Sequence, residues 1–282
     1  MAKKSPKKAK RKTSQPAAPT PTSGRICNLL PSKNTENDWL FSNALASGAL
    51  AAAPAALPAS VDLRKPWWTI GDQGQTGSCV GWASAEGVVR YHMVMAGRLA
   101  SNLPLSPRFV WMASKETDVA VTRPETFIEE AGTYLKTSMD ICRKYGVVTS
   151  TLLPFAINTL MYTGSENTFY AAASQRKIAA YFNLGRNLTQ WKTWLATRGP
   201  ILVGLSVDQT WENATATHGN LDVFMPNTVR GGHAVAIVGY HATGRFIVRN
   251  SWGTGWGDKG FAYASPAYIN GAFFNESYGV TI

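Results

Sequence analysis

Cys79, His233 and Asn250 are the residues of this 282-residue chain whose types and surroundings can do chemistry together. Cys79 sits in Gly71-Asp-Gln-Gly-Gln-Thr-Gly-Ser-Cys79-Val-Gly-Trp-Ala, a Gly/Gln/Asp loop that delivers a thiol to the first turn of a helix. There the unpaired backbone N–H groups and the helix dipole favour thiolate over thiol. A thiolate that attacks a carbonyl also needs a proton for its leaving group, and a paired imidazole supplies one. His233 opens the apolar run Gly231-Gly-His-Ala-Val-Ala-Ile-Val-Gly-Tyr240, which puts it at the start of a buried strand. Asn250 follows in Val248-Arg-Asn-Ser-Trp-Gly-Thr-Gly-Trp-Gly257, with an amide oxygen to hold the ring N–H and Trp252 to shield that bond from water. The chemistry these residues fit is acyl transfer through a thioester.

The elements that must position them follow from periodicity. Ser78 stands where a helix N-cap is expected. From Val80 to Gly97 the apolar positions Val80, Ala83, Gly87, Val88, Tyr91 and Met95 recur at helical spacing. Ser106-Pro107 opens a second helix, with Phe109, Val110 and Met112 on its apolar face. A third is expected from about Gly132 to Tyr145, with Leu135, Met139 and Cys142 on one face and Gly146 as its cap. Helical stretches around Ala171–Phe182 and Leu188–Thr197 come next. Val61–Arg64 and Trp67–Ile70 read as short extended pieces. Strand-type runs then cover Ile201–Val207, Ala234–Tyr240, Arg245–Asn250 and Gly260–Ala264. Helices first and strands later predict an α+β protein with two lobes.

At the three blocks the chain resembles the papain-like (C1) cysteine peptidases. Gln73-Gly…Gly77-Ser-Cys79, Gly232-His233-Ala-Val and Asn250-Ser-Trp-Gly-Thr-Gly-Trp-Gly match that family's active-site segments, in its order. His233 lies 154 residues past Cys79, near the separation of roughly 130–150 expected of such a pair. Weaker matches fill the gaps: Leu57–Arg64 looks like a mature N-terminus, and Leu105-Ser106, Tyr145-Gly-Val, Pro154-Phe and Gly199-Pro-Ile-Leu-Val fall where the family has similar residues. The resemblance implies a papain-like two-lobed fold with a cleft between a helical lobe carrying Cys79 and a β-barrel-like lobe carrying His233 and Asn250. It implies that Gln73, with the Cys79 N–H, forms the oxyanion hole, and that Gly132, Trp252, Gly232 and Ala234 border bound peptide. Three departures stand out: Val80 follows the nucleophile where the family has Trp or Tyr, Thr76 replaces a disulfide cysteine, and a usual Gly-Gly pair is reduced to Gly132 after Ala131. Together with the short segment before Leu57 they suit a disulfide-free, prokaryotic-type branch.

Composition sets the rest. Hydrophobic residues make up 45% and charged residues 16%, enough to bury a large core. The net charge of +11 is local, because Lys3, Lys4, Lys7, Lys8, Lys10, Arg11 and Lys12 leave only +4 to the remainder. Residues 1–24 are expected to be a disordered basic tail, whose cations at 3–12 suit a weak polyanion contact. Residues 25–57 read as a short pro-segment or linker, with Trp39, Leu40 and Phe41 as its anchor and a position over the cleft. Residues 58–282 read as the peptidase domain, with a helical lobe at about 75–165 and a β-rich lobe at about 166–282. Trp211 and the loop from Asn213 to Arg230 are expected at the cleft rim. Three cysteines without a C-x-x-C pair argue against a disulfide framework and a thiolate zinc site. No cofactor or metal is expected, and the Ala44–Ala59 run makes a poor signal peptide. The expectation is a monomer in a reducing compartment, without a transmembrane segment, hydrolysing peptides or proteins. Two alternatives use the same residues: an acyl-transferring or deamidating enzyme, and a silent papain-like binding module. Cys142, His92, His218 and His241 are read as structural.

Overall fold

The computed structural model describes residues 24–52, 54, 56–117, 131–156, 162 and 164–282. The basic tail thus lies outside the described residues apart from Gly24. The chain begins with an extended stretch and a short helix, α1 (Phe41–Ala46). Strand β1 (Val61–Asp62) precedes a long helical rod, α2, built of Cys79–Gly81, a π-helical segment Trp82–Val89 and Arg90–Met95. Helices α3 (Pro107–Thr117), α4 (Leu135–Lys144) and α5 (Glu166–Ser174) complete the helical side. Pro107 opens α3, where its missing N–H costs nothing. Gly146, at φ 90°, takes the left-handed turn after α4 that a side chain would resist.

The second half is a sheet. Strand β2 (Ala180–Asn183), helix α6 (Leu188–Thr197), β3 (Ile201–Val207), helix α7 (Gln209–Asn213), β4 (Asn220–Leu221), β5 (Gly231–Tyr240), β6 (Phe246–Arg249), β7 (Phe261–Ala264), helix α8 (Pro266–Ala272) and β8 (Phe273–Thr281) follow in order. Eight strands join in the order β2-β8-β3-β5-β6-β7-β4, with β1 on β5. The pairs are antiparallel except β4 with β7. Because side chains alternate along a strand, β5 serves two cores. Ala234, Ala236 and Val238 pack with α2 to α5, and Val235 and Ile237 pack on the opposite face with α1, α6 and α8. Gly87 lets the rod lie on the sheet, since a Cβ there would stand 3.0 Å from the Ala236 methyl group.

Two expectations are corrected. The helical reading of Ala171–Phe182 holds only as far as Ser174, and Ala180–Asn183 instead pairs with Tyr278–Thr281 at the far end of the chain. Trp67–Ile70 forms a turn and irregular chain with no named strand. The passage between the cores comes after α5, whose Phe169 and Ala173 pack on the helical side, while Phe182 packs in the second core.

The N-terminal segment belongs to the fold. Phe41 and Ala44 are buried in the second core, and Phe41 meets the Trp194 ring edge-on at 5.3 Å. Trp39 and Leu40, also expected to anchor this segment, are exposed by 56% and 41%. Trp39 nonetheless stacks on Phe182 at 5.7 Å. Phe41→Ala is expected to cost about 3–5 kcal/mol in a denaturant titration, as deletion of a fully buried aromatic does. A cost under about 1 kcal/mol would mean that α1 is not part of the core. Among the described residues no helix is long and apolar enough to cross a membrane, and the three cysteines are free thiols.

Candidate active site

Cys79 begins α2 and is fully buried. The loop before it is tied by its own hydroxyls. Thr76 Oγ1 donates to the Gln73 carbonyl at 2.7 Å and lies 2.6 Å from Ser78 Oγ. Ser78 stands at the N-cap as expected, but its side chain makes no cap bond to the helix and its hydroxyl stiffens the loop instead. The period of β5 turns Ala234 toward α2 and His233 toward the opposite face. The Ala234 backbone N–H reaches the Cys79 sulfur, which puts the thiol beside the residue that follows His233.

His233 Nε2 donates to Asn250 Oδ1 at 2.8 Å. The amide oxygen has only lone pairs to offer, and it also accepts from the Ser251 N–H at 2.8 Å, which fixes the amide's orientation. The proton therefore rests on Nε2, and Nδ1 is the basic atom. Nδ1 is buried and has no hydrogen-bond partner. Aromatic rings close over this pair: Trp252 lies 4.9 Å from the imidazole and Trp211 meets it edge-on at 5.6 Å. Trp211 is held in turn by Tyr268, whose hydroxyl accepts from the indole N–H at 2.8 Å and donates to Asp208 at 2.7 Å.

Gln73 is clamped to the Asn250 loop. Its backbone N–H donates to the Ser251 carbonyl at 2.8 Å, and its Oε1 accepts from Ser251 Oγ at 2.9 Å. Its Nε2 donates to the Thr76 carbonyl at 2.8 Å and to the Ile26 carbonyl at 3.4 Å. Gln75 is exposed and lies beside Gly24.

That contact with Ile26 is one of several made by an N-terminal strap held between Gly232 and Thr133. Leu29 N donates to the Gly232 carbonyl at 2.9 Å, and Leu30 N donates to the Thr133 carbonyl at 3.1 Å. A Cβ on Gly132 would stand 1.9 Å from the Asn28 carbonyl oxygen, and one on Gly231 2.0 Å from that of Cys27. Only glycine lets the strap approach so closely at these two places. The Leu29 side chain fills the space beside Gly204 and Phe274. Arg25 pins the start, pairing with Asp72 and donating to the Gly74 carbonyl at 3.0 Å and to the Trp252 carbonyl at 3.2 Å. Further on, Lys136 Nζ meets Asp38 at 2.6 Å, and Asp38 accepts from Asn183 at 3.0 Å and Tyr278 at 2.7 Å. The expected substrate-bordering residues Gly132 and Gly232 thus hold the chain's own segment, Ala234 meets Cys79, and Trp252 covers His233.

Burial sets the electrostatics. It pushes the Cys79 thiol up to about 11 against the backbone N–H groups of Ala234, Val80 and Cys79, and pushes His233 down to about 4 against the Asn250 bond, with Arg25 lowering it further. Cys27 is pushed up to about 12, first by burial and then by Cys79. In the strapped form, thiol and imidazole are both neutral. The sign for strap opening follows. An exposed His233 returns toward its ordinary value of about 6.5, so the open form binds a proton that the closed form excludes. Opening is therefore favoured as pH falls from about 6.5 toward 4, by at most about tenfold per pH unit. Asp72, for which burial is opposed by Arg25 and which is held low overall, adds in the same direction when Arg25 leaves. Hydrogen exchange at residues 26–30, corrected for intrinsic rates, should show more opening at pH 5 than at pH 7. Equal opening would contradict this charge assignment.

Residues 57–272 match the family model described as papain family cysteine protease. The chain belongs to the papain family. Within it, the chain is 32% identical over 218 residues to cysteine proteinase 2 of Entamoeba histolytica, covering 72% of this chain and 62% of that protein. It is 28% identical over 214 residues to ananain of Ananas comosus, covering 73% of this chain and 55% of that protein. The chain thus spans little more than half of these relatives' length. The structure of xylellain, a cysteine protease from Xylella fastidiosa, superposes with TM-score 0.74 at 21% identity, covering 95% of this chain and 99% of that one. The papain-family α+β fold expected from the sequence is borne out. Sequence reasoning missed Ser251, which clamps Gln73, and Arg25, Ile26 and Leu29 of the strap. Ser251 lay in plain view within the Asn-Ser-Trp block, whereas nothing local in Arg25–Leu29 points to a cleft 200 residues downstream.

Proposed function

We propose that this chain is a cysteine peptidase held closed by its own residues 25–30. The single observation that carries it is the bond between His233 Nε2 and Asn250 Oδ1, which leaves Nδ1 unpartnered beside the strand that meets Cys79. Once the strap leaves and a peptide enters, the thiol passes its proton to Nδ1. Cys79 sulfur then attacks a peptide carbonyl, and the developing oxyanion is held by Gln73 Nε2 and the Cys79 N–H. The imidazolium gives its proton to the leaving amine as the C–N bond breaks. His233 next takes a proton from water, which attacks the thioester and returns the thiol.

The strap's direction supports a blocking role. The leaving amine must lie on the His233–Trp252 side to receive its proton. Arg25 lies there and Leu30 lies along Thr133–Tyr134, so the strap runs with its N-terminal end where a substrate's C-terminal part belongs. It fills the cleft without presenting a bond for cleavage. Leu29, seated against Gly204 and Phe274, supports an apolar subsite for substrates with an aliphatic side chain. The seven cations of residues 3–12 support a salt-dependent polyanion contact separate from catalysis.

Kinetics on one short peptide, in a strap-released form, test the oxyanion assignment. Gln73→Ala is expected to lower kcat by about 10²–10³-fold with KM little changed, the loss typical of one oxyanion donor. Gln75→Ala, at an exposed position, is expected to cost less than about tenfold. The reverse ranking would sink the role given to Gln73.

A further inference from the structure

Arg25 reaches out of the strap into a cradle built by two other parts of the chain. Its side chain is only 6% exposed. Nη1 donates to Asp72 Oδ1 and to the Gly74 carbonyl at 3.0 Å. Nη2 donates to Asp72 Oδ2 at 3.1 Å and to the Trp252 carbonyl at 3.2 Å. The four terminal N–H bonds of the guanidinium thus meet four acceptors, two of them on one carboxylate. A lysine, with three donors around a single point charge, cannot meet all four.

The cradle is held in shape by contacts that do not involve the strap. Asp72 Oδ1 accepts from the Gly74 N–H at 2.8 Å, which orients the carboxylate. Asp72 pairs with Trp252 in an antiparallel bridge, and beside it the Gly253 N–H donates to the Gly71 carbonyl at 3.0 Å. A Cβ on Gly253 would stand 3.0 Å from Asp72 Oδ2, so glycine leaves the carboxylate its space. The neighbouring cation Arg230, whose Nη2 donates to the Arg25 carbonyl at 3.0 Å, is paired with Glu212 at 2.9 Å. When the strap leaves, Asp72 stays oriented and loses the cation that it pairs with among the described residues. The cradle also adjoins the reacting centre. Asp72 precedes Gln73, whose Nε2 meets the Ile26 carbonyl at 3.4 Å, and Trp252 covers His233. Arg25 is one residue from that carbonyl, on the side where the leaving amine belongs.

We infer that Asp72, with the Gly74 and Trp252 carbonyls, forms a specificity subsite for an arginine side chain one or two residues after the scissile bond of a peptide substrate. The inference rests on the peptidase reading above and names a substrate feature for it. Arg25 occupies the subsite in the closed form, and a substrate arginine takes its place in the open form. The cradle grips only the guanidinium, so the reversed main chain of the strap and the forward main chain of a substrate can both deliver one.

The test uses the full chain carrying Arg25→Ala and Leu29→Asp, which opens the strap and removes the internal arginine. Internally quenched peptides of one sequence differ only at the first or second residue after the cleaved bond, which is arginine, lysine, norleucine or glutamate. Arginine at one of these positions is expected to raise kcat/KM at least about tenfold over norleucine, the scale of one charge-assisted bidentate contact, with lysine between them. Adding Asp72→Asn should bring the arginine-to-norleucine ratio within about twofold of one, and Asp72→Lys should favour glutamate over arginine. Each ratio compares peptides on the same enzyme, so a general loss of activity in a variant does not imitate the result. Cys79-dependent cleavage at equal rates for arginine and norleucine at both positions would overturn the subsite and leave the peptidase reading standing. An arginine preference that Asp72→Asn leaves intact would do the same. Failure to cleave any of the peptides, with the chain shown to be folded, would overturn both.

Discussion

Cys79→Ala is expected to abolish peptide hydrolysis, lowering kcat by at least about 10⁴-fold, the scale on which loss of a nucleophile acts. No other thiol can take its place. Cys142 is fully buried on α4 among the side chains of the helical core, and Cys27 lies in the strap with its thiol held neutral. The fold should survive the change, because Ala removes one sulfur atom and leaves the loop hydroxyls and the Gln73–Ser251 clamp in place. Cys142→Ala should do the opposite, costing stability through a small cavity while kcat holds. Activity measured beside a denaturant titration checks both variants. Loss of activity in Cys142→Ala with full activity in Cys79→Ala would place the nucleophile elsewhere.

Leu29→Asp should raise hydrolysis of a short peptide about 10²-fold or more over the unaltered chain. Leu29 is 3% exposed in the closed form. A carboxylate there would be buried without a partner, a defect of about 3–5 kcal/mol, whereas in the open form water solvates it. The whole penalty therefore falls on strap closure. The anchor at Phe41 and Ala44 is untouched, so the domain keeps its second core. This placement also says where release must act. A cut within residues 51–56 leaves α1 docked and the strap held by Arg25, Leu29 and Asp38, so cutting there alone is not expected to open the cleft. An unchanged rate in Leu29→Asp, with the variant shown to be folded, would mean that the strap does not limit access.

How much of this was legible in the sequence depended on the range of each interaction. The Cys79, His233 and Asn250 blocks were readable because each carries its own loop, strand start or turn chemistry. Helix α4 and its Gly146 cap were readable for the same reason, since periodicity and capping act within a few residues. Strand β2 was not. Ala180–Asn183 has no alternation strong enough to overrule the helical run before it, and its partner is Tyr278–Thr281. The strap was placed over the cleft from resemblance, but its grip was hidden. Its backbone bonds go to Thr133 and Gly232, and the signals that permit them are glycines at 132 and 231 with no local explanation. Ser78 was readable as the helix N-cap, but not that its hydroxyl goes to Thr76 instead of the helix. Trp39 and Leu40 misled as anchors because hydrophobicity does not say which of three adjacent residues turns inward.

The central claim is that Cys79 is the nucleophile and residues 25–30 cover it. The most direct test reacts a thiol-directed epoxide probe with the unaltered chain and with Leu29→Asp, then maps the labelled residue by mass spectrometry. The account predicts slow labelling of Cys79 in the unaltered chain and labelling at least about 10²-fold faster in the variant, with peptide hydrolysis lost in step with labelling. Equally fast labelling of Cys79 in both chains, or hydrolysis that persists after Cys79 is fully labelled, would contradict it.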